Sequence, residues 1–401
     1  MTSVYPELGL FIDNELRPGR GSGDRRVVNP ATGDELARLP IASAEDLNEA
    51  LTSSERAFAA WRRVSALERS NILRKAAGII RSRVDEFART LTLEQGKVLA
   101  EARIEMMAAA DIIDWFAEEG RRAYGRVIPS RQPDIRFSTL LVPVGPVAAF
   151  SPWNFPAVIP ARKVAASLAA GCTCIIKPAE ETPATMLGIA QAFAEAGLPD
   201  GVLNVVTGEP AEISTHLIAS PIIRKVSFTG STAVGGEIGR LAAGGIKRVT
   251  LELGGHAPVL VLEDADIEKA VSISAAFKFR NAGQVCIAPT RFYVHERVYD
   301  DFVNGLTTRA AALKVADGLA EGTQMGPLAN SRRVKAMERL ISDAVTAGAR
   351  LTTGGESGAN RGYFWQPTVL ADVPETARIM NEEPFGPVAV VRRVSSVDEE
   401  I

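Results

Sequence analysis

The stretch Val147-Ala-Ala-Phe150, Ala161–Ala170, Gly171 and Cys172-Thr-Cys-Ile-Ile176 decides the fold. It reads as a short apolar strand, a helix ended by glycine, and a second apolar strand. The pattern then repeats. Pro183–Ala196, closed by Gly197, is a second helix, Val202–Val206 a third strand and Lys225–Phe228 a fourth. This alternation predicts an α/β fold with a parallel sheet covered by helices. A second α/β unit begins near Thr250, with Pro258–Leu262 as a buried strand, Ile267–Ala282 as a helix and Arg291–Val294 as a strand. Upstream, residues 44–119 carry apolar residues at helical spacing, opened by the cap-like Ser43-Ala-Glu-Asp46. Tyr124–Ile128 and Ile135–Val142 flank the turn Pro129-Ser-Arg-Gln-Pro133 and read as a two-stranded excursion.

Composition narrows the function. The chain has 401 residues, 46% apolar and 23% charged, enough for more than one domain with a sizeable core. A net charge of −3 without blocks of one sign argues against nucleic acid and anionic membranes as partners. No basic segment followed by an apolar run opens the chain, and no apolar stretch is long enough to span a bilayer. Three cysteines, Cys172, Cys174 and Cys286, are too few for a disulfide framework and point to a reducing, cytoplasmic setting. His216, His256 and His295 are scattered, so no metal site is expected.

The sharpest local feature is Asn281-Ala-Gly-Gln-Val-Cys286. A cysteine after a glycine-containing turn at a helix end is open to attack a substrate, although a lone cysteine is more often a small buried hydrophobe. Glu252, in Leu251-Glu-Leu-Gly-Gly255, is either a base or a solvated strand-end charge. Asn154, in Pro152-Trp-Asn-Phe-Pro156, and Lys177-Pro-Ala-Glu180 both follow apolar strands, whose C-terminal ends bind ligands in open α/β sheets. The bland alternative for Asn154 is a rigid turn. Phe228-Thr-Gly-Ser-Thr-Ala-Val-Gly235 enters a helix with small hydroxyls suited to a phosphate. It matches neither GxGxxG nor a P-loop.

Taken together and in order, these segments resemble the aldehyde dehydrogenase superfamily, and succinate-semialdehyde dehydrogenases within it. The resemblance runs from Phe11 to about Pro387. It also includes Asn29-Pro-Ala-Thr-Gly33, Leu93-Glu-Gln-Gly-Lys97, Met325-Gly-Pro-Leu328 and Glu382-Glu-Pro-Phe-Gly-Pro387. It implies a Rossmann-type cofactor domain over residues 1–123 and 143–249. Residues 124–142 form an oligomerisation β excursion, and 250–401 a catalytic domain. Cys286 resembles the nucleophile whose thiolate adds to an aldehyde. The Asn154 amide and the Cys286 N–H resemble the oxyanion donors. Glu252 resembles the base that activates water against the thioester. Lys177 and Glu180 correspond to the pair that holds the adenosine ribose, Ser231 to the pyrophosphate contact, and Glu383 and Phe385 to the nicotinamide contacts. Trp153, Gly208, Thr229 and Gly230 complete the implied cofactor site. A carboxylate at Glu180 repels a 2′-phosphate, so NAD is expected in preference to NADP.

Arg162 and Arg280 refine the substrate. Members accepting apolar aldehydes carry a bulky aromatic near the Arg162 position, whereas succinate-semialdehyde dehydrogenases resemble this chain at both arginines. Two guanidinium groups imply a carboxylate-bearing semialdehyde such as succinate semialdehyde. Broad-range aldehydes, or another semialdehyde, stay open as alternatives. Where some succinate-semialdehyde enzymes have a second cysteine beyond the nucleophile, this chain has Ala288, so no internal disulfide switch is expected. The sequence ends at Glu399-Glu-Ile401, short of the family's usual length. An incomplete catalytic domain is therefore expected, with NAD binding without activity as a further alternative. The homo-oligomer usual for the family is in question for the same reason.

Overall fold

The Val147–Phe150 run forms a fully buried strand at the heart of the larger sheet. A computed structural model describes residues 5–358 and 361–396; the final Glu399-Glu-Ile401 lies outside the described residues. The larger sheet has seven strands. Their order is Arg248–Leu253, Lys225–Gly230, Val147–Phe150, Cys174–Lys177, Leu203–Val205, Leu10–Ile12 and Glu15–Arg17. The four strands from Lys225–Gly230 to Leu203–Val205 are parallel, as the alternation predicts. Phe228, Phe150 and Lys177 share one register line across three of them. Chain order departs from Val147–Phe150 in both directions, so a topological switch lies between that strand and Lys225–Gly230. That is where an open α/β sheet leaves a crevice for a ligand.

Helices cover this sheet. Ala44–Trp61 opens with a capping box between Ser43 and Asp46. Ala66–Ser82, Val84–Gln95 and Leu99–Arg121 follow, which agrees with the helical reading of residues 44–119. Trp61, Leu73 and Ile80 put bulky apolar groups into the core. Each such side chain contributes about 1.5–3 kcal/mol when removed from water. The excursion is an antiparallel hairpin, Arg126–Pro129 with Arg136–Thr139, and every residue of both strands is exposed.

A five-stranded sheet forms separately, ordered Pro258–Val261, Arg291–His295, Val388–Val394, Thr368–Ala371 and Arg350–Thr353. Its core gathers Phe292, Phe302, Tyr299, Trp365 and Met337. Two expectations are corrected here. Pro258–Val261 is not a buried strand: it is a sheet edge, and Pro258 and Leu260 are exposed. The helix from Ile267 stops at Phe279 rather than Ala282, because Asn281 and Ala282 turn left-handed, at φ 50° and 52°.

Contacts divide the chain into two compact units. One holds 1–27, 36–90 and 103–252; the other holds 28–35, 91–102 and 253–401. Glu252 is therefore the last residue of the first.

Candidate active site

In the first unit, the C-terminal ends of the parallel strands carry the candidate ligand residues. Past Phe150 the chain turns through Ser151, whose N–H donates to the Lys177 carbonyl (3.1 Å). Asn154 follows and is buried, with Trp153 half-buried beside it. The next helix, Val158–Ala169, has no side-chain cap of its own. Instead the buried Glu105 carboxylate accepts from the Ala157 N–H (2.9 Å) and the Val158 N–H (3.3 Å). An anion there satisfies orphan helix donors and fixes the approach to Asn154. Glu105 carries no local motif, and only its depth in the fold marks it.

Lys177 is buried at the end of its strand, where its ammonium pairs with Glu180 and donates to the Pro178 carbonyl (3.0 Å). Gly208 is buried at φ 141°, and a Cβ there would press on Ile41 and Ala42. Thr229 and Gly230 end their strand half-buried, and Ser231 caps helix Thr232–Gly244 by accepting from the Val234 N–H (3.4 Å). The first turn of that helix holds no acidic residue, so its positive end is open to an anion.

Two more charges complete this unit's site. Glu252 is exposed near the end of Arg248–Leu253. Lys163, one residue past Arg162 on its helix, is buried and donates to Ser227 Oγ (3.0 Å). Burial pushes its amine down to about 8, and the Glu252 charge pulls the other way. Sequence reasoning passed over Lys163, because nothing local separates a buried lysine from a solvated one. Arg162 is exposed and lines a cavity of about 390 Å³ with Asp111, Ile112, Trp115 and Phe116.

In the second unit, the left-handed turn at Asn281 and Ala282 delivers Cys286. The turn is pinned throughout. The Asn281 N–H donates to the Glu101 carboxylate (3.0 Å), and its side-chain amide to the Gln284 carbonyl (3.3 Å). Gln284 is fully buried; its amide donates to the Asn281 carbonyl (3.0 Å) and its oxygen accepts from the Ala329 N–H (2.9 Å). Gly283 lies against the Gly386 backbone at φ 70°, a place where a Cβ would collide. Cys286 emerges half-buried, whereas Cys172 and Cys174 are buried. Burial raises the Cys172 thiol and pushes Cys174 up to about 12. Of the three thiols, only Cys286 is exposed enough to meet a substrate.

Arg280 caps the preceding helix and does not lie within it; its guanidinium rests over the Phe277 ring (5.8 Å). Burial raises the Glu383 carboxyl, which accepts from the Gly255 N–H and lies against Gly254, where a Cβ would strike it. Phe385 takes φ 43°, with the Arg333 guanidinium over its ring (5.8 Å). Lys278 is fully buried, and its Nζ has no hydrogen-bond partner among the described residues. Burial pushes that amine down to about 7. Among the described residues no group of three His, Cys, Asp or Glu is placed to hold a metal, and no helix is long and apolar enough to cross a membrane.

Comparison with known proteins agrees with this architecture. The aldehyde dehydrogenase family matches residues 18–401. The chain is 51% identical over 400 residues to 4-(hydroxymethyl)benzenesulfonate dehydrogenase TsaD1 of Comamonas testosteroni, covering 100% of this chain and 83% of that protein. It is 46% identical to the succinate-semialdehyde dehydrogenase [NADP(+)] GabD of Escherichia coli strain K12, over 92% of this chain and 76% of that one. The crystal structure of succinate-semialdehyde dehydrogenase from Burkholderia pseudomallei superposes with a TM-score of 0.97 at 43% identity, covering 100% of this chain and 83% of that one. Matched along nearly its whole length in both sequence and fold, the chain belongs to the aldehyde dehydrogenase family, the oxidoreductases that act on aldehydes.

Proposed function

We propose that the chain oxidises an aldehyde bearing a distal anion to the carboxylic acid, with NAD as the acceptor, through a thioester on Cys286. The observation that carries this reading is the Cys286 turn: one half-buried thiol, held on a pinned left-handed loop, in a chain whose other thiols are buried. In this scheme the Cys286 thiolate adds to the aldehyde carbon. Asn154, oriented by its buried setting, donates to the oxyanion together with the Cys286 N–H. When bound, the nicotinamide accepts the hydride. Glu252 then takes a proton from the water that releases the acid.

The residues present fit a dinucleotide. The open N-terminus after Ser231 suits a pyrophosphate, Thr229 and Gly230 leave room beside it, and Trp153 and Gly208 border the same strand ends. In this reading Lys177 and Glu180, which pair with each other, take the ribose hydroxyls, and Glu383 and Phe385 take the nicotinamide half. The family uses NAD or NADP, and the Escherichia coli relative is named for NADP(+). Glu180 decides the matter in our reading. Its carboxylate disfavours a 2′-phosphate, so NAD is expected to give the higher kcat/KM. Glu180→Ser is expected to narrow that preference by about tenfold, the effect of ~1.4 kcal/mol. Equal kcat/KM for both cofactors in the parent chain defeats the argument.

For the substrate anion, Arg162 and Arg280 supply guanidinium groups. A carboxylate semialdehyde such as succinate semialdehyde is the reference case, and the sulfonate named for the Comamonas relative is the same kind of anion. A hydrogen bond to a charged group contributes roughly 1.5–3 kcal/mol, so either Arg→Ala change is expected to cut kcat/KM about ten- to a hundredfold for anionic aldehydes. Uncharged aldehydes of equal length are expected to change far less. Equal losses for both classes return the assignment to a general aldehyde. We also propose a cytoplasmic homo-oligomer, supported by a cysteine content too low for a disulfide framework and by the exposed apolar hairpin, with Val127, Phe137 and Leu140 all open.

A further inference from the structure

Burying Lys278 costs stability, and packing does not explain why an amine stands there. The residue lies in the last turn of helix Ile267–Phe279, just before the turn that carries Cys286, and it is fully buried. A lysine at a helix end commonly donates to the last carbonyls of its own helix. This one does not, because its Nζ has no hydrogen-bond partner among the described residues. Burial disfavours the ammonium and pushes the amine down to about 7. A methionine of similar length would fill the same space without that penalty.

The charge that acts on Lys278 is Glu383. That carboxylate is half-buried and held in place. It accepts from the Gly255 N–H and lies against Gly254, where a Cβ would strike its Oε2. Gly255 in turn borders the Cys286 carbonyl, which a Cβ would meet at 3.9 Å. Burial raises the Glu383 carboxyl, and two cations of the same unit, Arg333 and Lys278, oppose that rise. Arg333 has other partners: its guanidinium donates to the Pro384 carbonyl and rests over the Phe385 ring. Lys278 has no second anion of this kind in the elements packed around it. Asp300, Asp301 and Arg309 of helix Tyr299–Ala311 are exposed. Arg392 and Arg393 of strand Val388–Val394 pair with Glu375 (3.2 Å) and Asp300 (2.9 Å), and Arg280 rests over Phe277. His256 also feels the Lys278 charge, but both its ring nitrogens are bound, to Thr290 Oγ1 (2.5 Å) and the Ile379 carbonyl (2.7 Å). Burial lowers this imidazole, with Lys278 and Arg291 acting in the same direction.

We propose that Lys278 is a positioning residue for the nicotinamide half of the cofactor: its buried ammonium keeps Glu383 ionised, as the acceptor that ribose hydroxyls require. The proposal rests on the reading of Glu383 as a contact of that half and adds the group that sets its charge. A protonated Glu383 gives up most of its accepting capacity. Below about pH 7 Lys278 is charged and opposes that protonation. Without Lys278, Glu383 takes up its proton at a higher pH. Near pH 9 the amine is neutral and Glu383 is ionised with or without it, so the influence of Lys278 ends there.

Binding without turnover tests this. NADH, whose ring is neutral, is titrated by its fluorescence, with ADP as competitor, from about pH 5.5 to about pH 9. ADP lacks the second ribose and the nicotinamide, so the ratio of the two Kd values isolates the half that Glu383 serves. The parent is compared with Lys278→Met, Lys278→Gln, Glu383→Gln and the double variant Lys278→Met with Glu383→Gln. Both lysine variants are expected to fold, since each removes an unpaired buried ammonium. Glu383→Gln is expected to cut the margin of NADH over ADP about tenfold near neutral pH, the size of one hydrogen bond to a charged group. In the parent the margin is expected to fall on acidification. In both lysine variants that fall is expected at higher pH, with all three curves meeting near pH 9. In the double variant the lysine change is expected to add nothing to Glu383→Gln, as for two residues acting through one group. A loss that persists undiminished to pH 9, or that adds in full to Glu383→Gln, marks a packing role and overturns the proposal while the Glu383 reading stands. Parent and lysine variants with identical curves overturn it as well. If Glu383→Gln keeps the parent margin at every pH, the Glu383 reading itself falls, and the proposal with it.

Discussion

Cys286→Ala is expected to end NADH formation while leaving NAD binding and the melting temperature close to the parent's. The loss should be on the order of 10⁴-fold or more, as when other enzymes lose the nucleophile on which a covalent pathway depends. The size follows from the absence of a substitute. Cys172 and Cys174 are buried in the first unit, and burial holds both thiols protonated at neutral pH. Neither can form the thiolate that adds to a carbonyl. Stability should change little, because Cys286 is half-buried and its turn is held by backbone and amide contacts from Asn281 and Gln284. Gln284→Ala therefore serves as the contrast. It removes the oxygen that accepts from Ala329 and so lowers stability and activity together. Calorimetric NAD affinity and a thermal melt, run beside the assay, separate the two variants. Parent-rate turnover by Cys286→Ala removes Cys286 from the nucleophile role.

The alternation that announces the parallel sheet was legible because its strands are mostly apolar, Val147–Phe150 entirely so, and because Gly171 and Gly197 closely follow the helices Val158–Ala169 and Pro183–Glu195. Long-range pairings were not. Leu10–Ile12 joins the sheet by pairing Phe11 with Val205, and no local pattern signals a partner so distant in sequence. Helix Pro210–Ala219 also went unread: it is short, and Ile213, Leu217 and Ile218 are its only bulky apolar residues. Pro258–Val261 misled for a physical reason. Apolar composition describes a strand's chemistry and not its place in the sheet, and this strand is an edge. Asn281 and Ala282 misled in another way. Left-handed backbone at residues other than glycine costs energy that only the surrounding contacts repay, and those come from Glu101, Gln284 and Ala329. The motif residues Cys286, Glu252, Asn154 and Glu180 could be named from sequence. The groups that fix their surroundings, Glu105, Lys163, Lys278 and Glu101, could not, because charge in a sequence is silent about burial.

Glu252→Gln is expected to split the reaction in time. Stopped-flow should show a burst of NADH stoichiometric with the enzyme, followed by turnover slowed about 10²- to 10⁴-fold, the usual contribution of a general base. The amide keeps the shape of Glu252 but cannot take the proton from water, so acylation of Cys286 proceeds and release of the acid stalls. Lys163 supplies a second, independent signature. Its amine is buried and sits at about 8, with the Glu252 charge as the first opposing influence. Below that pH the ammonium is charged and repels the proton that is to be taken from water. Above it the amine is neutral and that restraint is gone. Hydrolysis that depends on Glu252 should thus rise through an inflection near pH 8. In Lys163→Met the inflection should vanish, while the Ser227 hydroxyl loses its donor. In Glu252→Gln the slow phase should lose the same inflection, because the group that Lys163 acts on is gone. Loss of the burst itself, rather than of the later phase, assigns Glu252 to activating the thiol and refutes the division of labour.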